Sequence, residues 1–366
     1  MLVGSQEIRI SDRKIKTILH DTEKTAKAVH LLYVNDGQPG IQRVKRGQSF
    51  IYLFNKKKIK DSDSLNRIKS LVIPPAWKNV WICFQENGHL QATGIDVKNR
   101  KQYRYHTLWN TLRNHTKFYR LYEFGKSMPE VRKQLERDLS LPGLPLEKVL
   151  ATVVCLMELT SIRIGNGTYE KLYGSFGLTT LKDKHVKIEG PQMRFMFKGK
   201  KGVSHNISIK SKRLAAIVKK CRDIPGQDLF QYIDENGEHK SIDSGMVNHY
   251  LKTISGGHEF TAKDFRTWSG SVHALQAFRE IKIAETIAEM KRAIVSVLDF
   301  VAGHLGNTRT VCKKYYVHPI LISLYVNNKL HNYFNELSSI RSEKDGMSCE
   351  EQMLMRILEK EGLAIS

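Results

Sequence analysis

Four short stretches of this 366-residue chain carry side chains suited to work on a phosphate ester. In Thr160-Ser161-Ile162-Arg163-Ile164-Gly165-Asn166-Gly167, Arg163 emerges directly behind an apolar run. Lys198-Gly199-Lys200-Lys201-Gly202 puts two lysines in a glycine-flanked turn, and Lys263-Asp264-Phe265-Arg266-Thr267-Trp268 sets cations beside aromatics. The fourth, residues 303–319, contains His304, Asn307, Arg309, Lys313, Lys314 and the pair Tyr315-Tyr316, and ends in Val317-His318-Pro319. Guanidinium groups suit the paired oxygens of a phosphate. An ammonium can protonate a departing alkoxide, and a tyrosine hydroxyl becomes a nucleophile when nearby cations favour its phenolate. Singly, each stretch is ordinary: arginines at helix ends cap, lysines at hairpin tips are solvated, and tyrosines before Val-His-Pro pack.

The surrounding pattern supplies elements that could hold these groups. Apolar residues at Leu146, Val149, Leu150, Val153, Val154 and Met157 predict a buried helix over residues 146–159, so Arg163 follows a fixed helix end. Residues 186–188, 192–197 and 203–209, separated by Glu189-Gly190-Pro191 and by 198–202, predict three strands with Lys200 and Lys201 at a hairpin tip. Residues 281–301 predict a core helix leading into the tyrosine stretch, and Ser348-Cys349-Glu350-Glu351 has the form of a capping box before a terminal helix. Nearer the start, residues 49–54, 80–84 and 90–93 read as strands, with a further strand-like segment over 98–106 and a hairpin turn at Asn87-Gly88. Ile73-Pro74-Pro75-Ala76-Trp77 must be extended. The fold class is α+β: a small antiparallel β domain over residues 1–108, then a mainly α-helical domain over 109–366 with a three-stranded β insert.

Composition narrows the substrate. Lys and Arg number 59 against 37 Asp and Glu, a formal net charge of +22. Residues 1–110 hold 20 basic and 9 acidic groups, leaving 39 and 28 for the other 256 residues, so the first part is over twice as densely basic. A polyanion, nucleic acid above all, is the expected partner. A 41% apolar content excludes a disordered tail, and no run approaches a membrane span or the core of a signal peptide. The five scattered cysteines form no C-x-x-C pair and suit a reducing cytoplasm. Gly125-Lys126-Ser127 is not a nucleotide loop, since Arg120 stands where its first glycine is required. No paired-histidine metal pattern is visible, and Asp61-x-Asp63 reads as a solvated turn. A nucleic-acid enzyme without a metal or nucleotide site must draw both its positive charge and its nucleophile from side chains.

The order of the motifs resembles a known family. Arg-Ile-Gly at 163–165, Lys-Gly-Lys-Lys-Gly-Val-Ser-His at 198–205, Lys-Asp-Phe-Arg-Thr-Trp at 263–268 and Gly-Asn-Thr-x-x-Val-Cys-x-x-x-Tyr-Val-His-Pro at 306–319 are similar to type IB DNA topoisomerases of the bacterial and poxvirus kind. The likeness runs from about residue 73 to 325 and includes Arg100-Lys101-Gln102-Tyr103-Arg104-Tyr105. The resemblance implies a catalytic set of Arg163, Lys200, Arg266, Asn307 and Tyr316, with Asn307, nine residues before the tyrosine, preferred to His304. It implies that Tyr316 forms a covalent bond to a 3′ phosphate, that Lys200 protonates the leaving 5′ oxygen, and that strand rotation then relaxes supercoils with no cofactor, ATP or metal. It also implies DNA contacts by Gln102, Tyr103 and Tyr105, with Lys98, Arg100 and Lys101 beside them and Lys263 near the catalytic set. The expected assembly is a monomer clamping double-stranded DNA, cytoplasmic and nucleoid-associated, with no membrane or nucleotide partner. A tyrosine recombinase is the rival enzyme, though recombinases carry His-x-x-Arg where this chain has Lys263-x-x-Arg266 and use a helical N-terminal clamp. A noncatalytic basic DNA-binding protein is the rival from another class.

Overall fold

The computed structural model describes residues 21–97, 99–282, 284–337 and 346–361; Lys98 lies outside the described residues. The chain forms two compact units, divided between Tyr119 and Arg120.

In the first unit, helix α1 (Thr22–Lys27) is capped by Asp21 and precedes an antiparallel six-stranded sheet. Its strands are β1 (Ile41–Arg46), β2 (Ser49–Phe54), β3 (Lys57–Lys58), β4 (Lys78–Ile82), β5 (Leu90–Ile95) and β6 (Lys101–Tyr105), in spatial order β3-β2-β1-β4-β5-β6. Apolar side chains from β1, β4 and β5 meet Ile68 of helix α2 (Ser62–Ser70) in a small core. Helix α2 corrects the reading of Asp61-x-Asp63 as a loop: Asp61 accepts a hydrogen bond from the Ser64 amide (2.8 Å) and is the N-cap. The strand expected over 80–84 ends at Ile82, beyond which the Arg67 guanidinium takes the carbonyls of Cys83 (2.8 Å) and Phe84 (3.2 Å). Arg43 likewise holds the carbonyls of Ile73, Pro74 and Trp77, and the segment expected to be extended instead turns at Pro75 and Ala76, where the Trp77 amide donates to the Pro74 carbonyl (3.1 Å).

Helix α3 (Thr107–Leu139) crosses the division, with Pro129 in its interior. The second unit surrounds α4 (Leu146–Thr160), in which Val149, Ala151, Thr152, Val153, Val154 and Leu156 are wholly buried. After α5 (Gly167–Tyr173) come two short 3-10 turns (Leu178–Thr180 and Asp183–His185). The expected insert follows as β7 (Val186–Glu189), β8 (Gln192–Lys198) and β9 (Ser204–Lys210), antiparallel in that order. Strict alternation in β8 buries Met193, Phe195 and Phe197 and exposes the residues between them, as a sheet covered on one face requires. Helix α6 (Lys212–Arg222), the hairpin of β10 (Gln231–Ile233) and β11 (His239–Ser241), and α7 (Ser244–Ile254) lead to the helices that carry the site.

These are α8 (Ala262–Arg279), α9 (Ile287–Leu305), α10 (Arg309–Tyr315) and α11 (Pro319–Val326), followed by α12 (Leu330–Leu337) and α13 (Cys349–Lys360). Helix α9 begins six residues later than expected, because Thr286 and Glu289 form a capping box that sets its first turn at Ile287. The expected terminal helix is present, capped by Ser348 and Glu351. Glu351 accepts from the Trp268 indole (2.7 Å) and from Arg132 (2.7 and 3.0 Å), which also bonds Glu158 (2.8 Å), so α13 braces α8, α3 and α4.

Candidate active site

Three helix ends converge on one point. Helix α4 stops at Ser161, whose left-handed backbone turns its carbonyl away from the helix. That carbonyl accepts a hydrogen bond from Arg266, which is 4% exposed on α8. The same guanidinium donates to the Leu305 carbonyl at the end of α9 (2.6 Å). Its Nε is buried with no hydrogen-bond partner. Anchoring by two carbonyls fixes the plane of the guanidinium before any substrate arrives.

Arg163 follows two residues after Ser161, and the Leu178 amide holds its backbone by donating to its carbonyl (2.9 Å). Its guanidinium donates to Asn307 Oδ1 (2.5 Å) and to the Gly306 carbonyl (3.3 Å). Arginine can only donate, so this bond assigns the amide oxygen of Asn307 to Arg163; Nδ2 donates one N–H to the Leu305 carbonyl (3.4 Å) and has a second N–H to give. Burial and the neighbouring Arg266 charge depress Arg163 to about 10, still protonated at neutral pH. Burial lowers Arg266 as well, opposed by Tyr316. A buried and a half-buried guanidinium, with no carboxylate partner among the described residues, make a site that favours an anion.

Asn307 occupies the joint between α9 and α10. Gly306 ends α9 in the left-handed region (φ 56°), and Thr308 caps α10. His304 points elsewhere: its Nδ1 pairs with the Phe300 carbonyl (2.9 Å), and its ring lies 4.5 Å from that of His273. Tyr316 sits at the C-cap of α10, with the Arg266 guanidinium 5.2 Å from its ring centre. Tyr315, one position earlier, is 39% exposed and lies beneath Lys314. The Tyr316 backbone is seated on α8. The Ser271 hydroxyl donates to its carbonyl (3.3 Å) and accepts from the His318 amide (3.1 Å). A Cβ on Gly270 would lie 2.7 Å from the Tyr316 carbonyl oxygen, so the turn docks only against a glycine. Neither Gly270 nor Ser271 stood out in the sequence; the one signal is the spacing of Gly270 four residues from Arg266, one helical turn along the same face, with Ser271 next to it.

Lys200 lies in the short turn joining β8 to β9, as expected. The residue is exposed, yet the protein atoms around its ammonium lower its pKa, as do the cations Arg163, Lys201 and Lys263, while Tyr316 opposes them. Lys263, in the first turn of α8, is exposed.

The expected readers on β6 have acidic partners that the sequence did not advertise. Arg100 is paired with Asp96 (2.6 Å), which also accepts from Gln102 (3.0 Å), and Lys101 is paired with Asp36 (2.6 Å). Tyr103 is 48% exposed and stacks parallel to Tyr105 at 6.0 Å, while Tyr105 packs partly into the core beside Trp109.

Residues 102–342 match the family model described as the catalytic core of eukaryotic DNA topoisomerase I, and residues 49–96 match the N-terminal domain of bacterial DNA topoisomerase IB. The DNA topoisomerase 1B of Acanthamoeba polyphaga mimivirus is 36% identical over 301 residues, covering 79% of this chain and 88% of the relative. That of Vaccinia virus (strain Copenhagen) is 25% identical over 238 residues, 63% of this chain and 71% of the relative. With most of its length matched and two arginines, one buried and one half-buried, gathered beside a tyrosine at a helix end, the chain belongs to the type IB DNA topoisomerases.

Proposed function

We propose that this topoisomerase relaxes duplex DNA with Tyr316 as nucleophile and with Arg163, Lys200, Arg266 and Asn307 completing the catalytic set. The Tyr316 hydroxyl gives its proton to solvent water as its oxygen bonds to the phosphorus. The phosphorus–5′ oxygen bond breaks, and Lys200 delivers a proton to the departing oxygen. Arg163, Arg266 and Asn307 Nδ2 stabilise the charge on the non-bridging oxygens through the transition state. The 3′-phosphotyrosyl bond keeps the energy of the diester, so the free 5′ hydroxyl reseals the strand by the reverse reaction after rotation. The observation that carries this reading is the link from Arg163 to Asn307 and of Arg266 to the two helix ends beside Tyr316.

The lowered pKa of Lys200 suits it to the acid role, because a weaker ammonium gives up its proton more readily. Gln102, Tyr103 and Tyr105, with Lys98, Arg100 and Lys101, serve in this reading as contacts of the N-terminal unit to DNA, and Lys263 as a further cation beside the catalytic set. The protein works as a monomer and needs neither nucleotide nor metal. Supercoiled plasmid in EDTA without ATP tests this. A ladder of relaxed topoisomers is expected; joined plasmids would instead indicate recombination, and unchanged plasmid simple binding.

A further inference from the structure

One imidazole sits between the two glycines that flank this machinery. His205 lies on β9 directly opposite Phe197 of β8, and their rings stack at 4.9 Å. A Cβ on Gly199, the residue before Lys200, would fall 2.6 Å from His205 Nε2. A Cβ on Gly306, the residue before Asn307, would fall 2.6 Å from His205 Cε1. The Nε2–Cε1 edge of the ring is thus wedged between the Lys200 turn and the joint that carries Asn307. Burial, Arg163 and Arg266 all lower the pKa of this histidine, so it is neutral at physiological pH and adds no third charge to the arginine pair. Among the described residues neither ring nitrogen has a hydrogen-bond partner, so the contact with both glycines is one of shape.

The two sides of the wedge differ in how well they are otherwise held. Asn307 is fixed by Arg163 and by the Leu305 and Ala302 carbonyls. The Lys200 turn is exposed, closed on itself by Gly199 N to Val203 O (2.8 Å) and Gly202 N to Gly199 O (3.0 Å), with Lys201 in the left-handed region. Losing the wedge should therefore displace Lys200 more than Asn307.

We propose that His205 is a positioning residue that registers the Lys200 turn against the phosphate-binding joint, and that it acts on leaving-group protonation. This rests on the catalytic reading above. Because misplacing a reacting group by about 1 Å costs on the order of 10²-fold, His205→Ala should slow single-turnover cleavage by about 10- to 100-fold while leaving noncovalent DNA affinity unchanged. His205→Phe keeps a flat ring in the wedge and should recover most of the rate.

The deciding substrate replaces the scissile 5′ oxygen with sulfur, whose thiolate leaves without a proton. Cleavage by Lys200→Ala and by His205→Ala should both return towards the wild-type rate on it. Asn307→Ala should not be rescued, because its defect lies on the non-bridging oxygens. If sulfur rescues Lys200→Ala but His205→Ala cleaves the oxygen substrate normally, or stays slow on sulfur, His205 does not position the acid and the inference fails alone. If sulfur does not rescue Lys200→Ala, the catalytic reading itself fails. Gly199→Ala provides a second approach, since its backbone (φ −90°) accepts alanine and only the imidazole opposes the new methyl group. It should slow cleavage in the wild-type background and much less in His205→Ala; equal slowing in both would also overturn the proposal.

Discussion

Asn307 and His304 lie three residues apart at the end of one helix, and their neighbours separate their roles. Asn307 is hydrogen-bonded to the half-buried Arg163, while His304 is packed on Phe300 and His273. A single oxyanion donor of this kind is worth about 10² to 10³ in rate. Asn307→Ala should lose that much in single-turnover cleavage of a nicked duplex, with His304→Ala close to wild type; a larger loss from His304→Ala would reverse the assignment. The candidate residues that meet at this site were legible because residue type, order and the nine-residue offset survive in the linear chain. Asp36 was not, since its partnership with Lys101 arises only when distant segments fold together, whereas the pairing of Asp96 with Arg100 is local to the turn before β6. The Lys101 ammonium holds the Asp36 carboxyl below its ordinary range, with Thr93 assisting, so at neutral pH the two charges are matched.

At the scale of elements, α8 is the platform of the site: it carries Arg266, seats the Tyr316 turn through Gly270 and Ser271, and is braced from behind by Glu351. A mid-helix glycine replaced by alanine ordinarily gains about 1 kcal/mol of stability. At Gly270 the added methyl group meets the Tyr316 backbone, so Gly270→Ala should show no such gain in thermal unfolding. It should also cleave about 10- to 100-fold more slowly while still binding DNA. A more stable variant with full activity would show that the Tyr316 turn does not depend on this contact. The insert was legible because its strands alternate sharply and its turns carry glycine. Helix α3 was not, because Pro129 interrupts a sequence with weak helical periodicity and only tertiary packing carries the helix through it. The early start expected for α9 came from extending an apolar pattern past Thr286, the residue that caps the helix.

For the whole molecule, the charge of +22 is the feature that governs how DNA is met, and it is densest in the first 110 residues. Neutralising about six phosphates implies that log affinity falls with log salt at a slope near −5. Titrating binding of a short duplex across potassium chloride concentrations measures this, and a slope near zero would remove electrostatics as the basis of binding. The central claim is chemical, and it is tested most directly by trapping the enzyme on plasmid DNA in EDTA without nucleotide, denaturing it, and mapping the modified peptide. The account predicts a phosphate-linked adduct on Tyr316, attached through the 3′ end of the broken strand. It also predicts that Tyr316→Phe binds DNA and forms no adduct, while Tyr315→Phe still cleaves and reseals. An adduct on Tyr315, linkage to the 5′ end, or an absolute requirement for magnesium would contradict it.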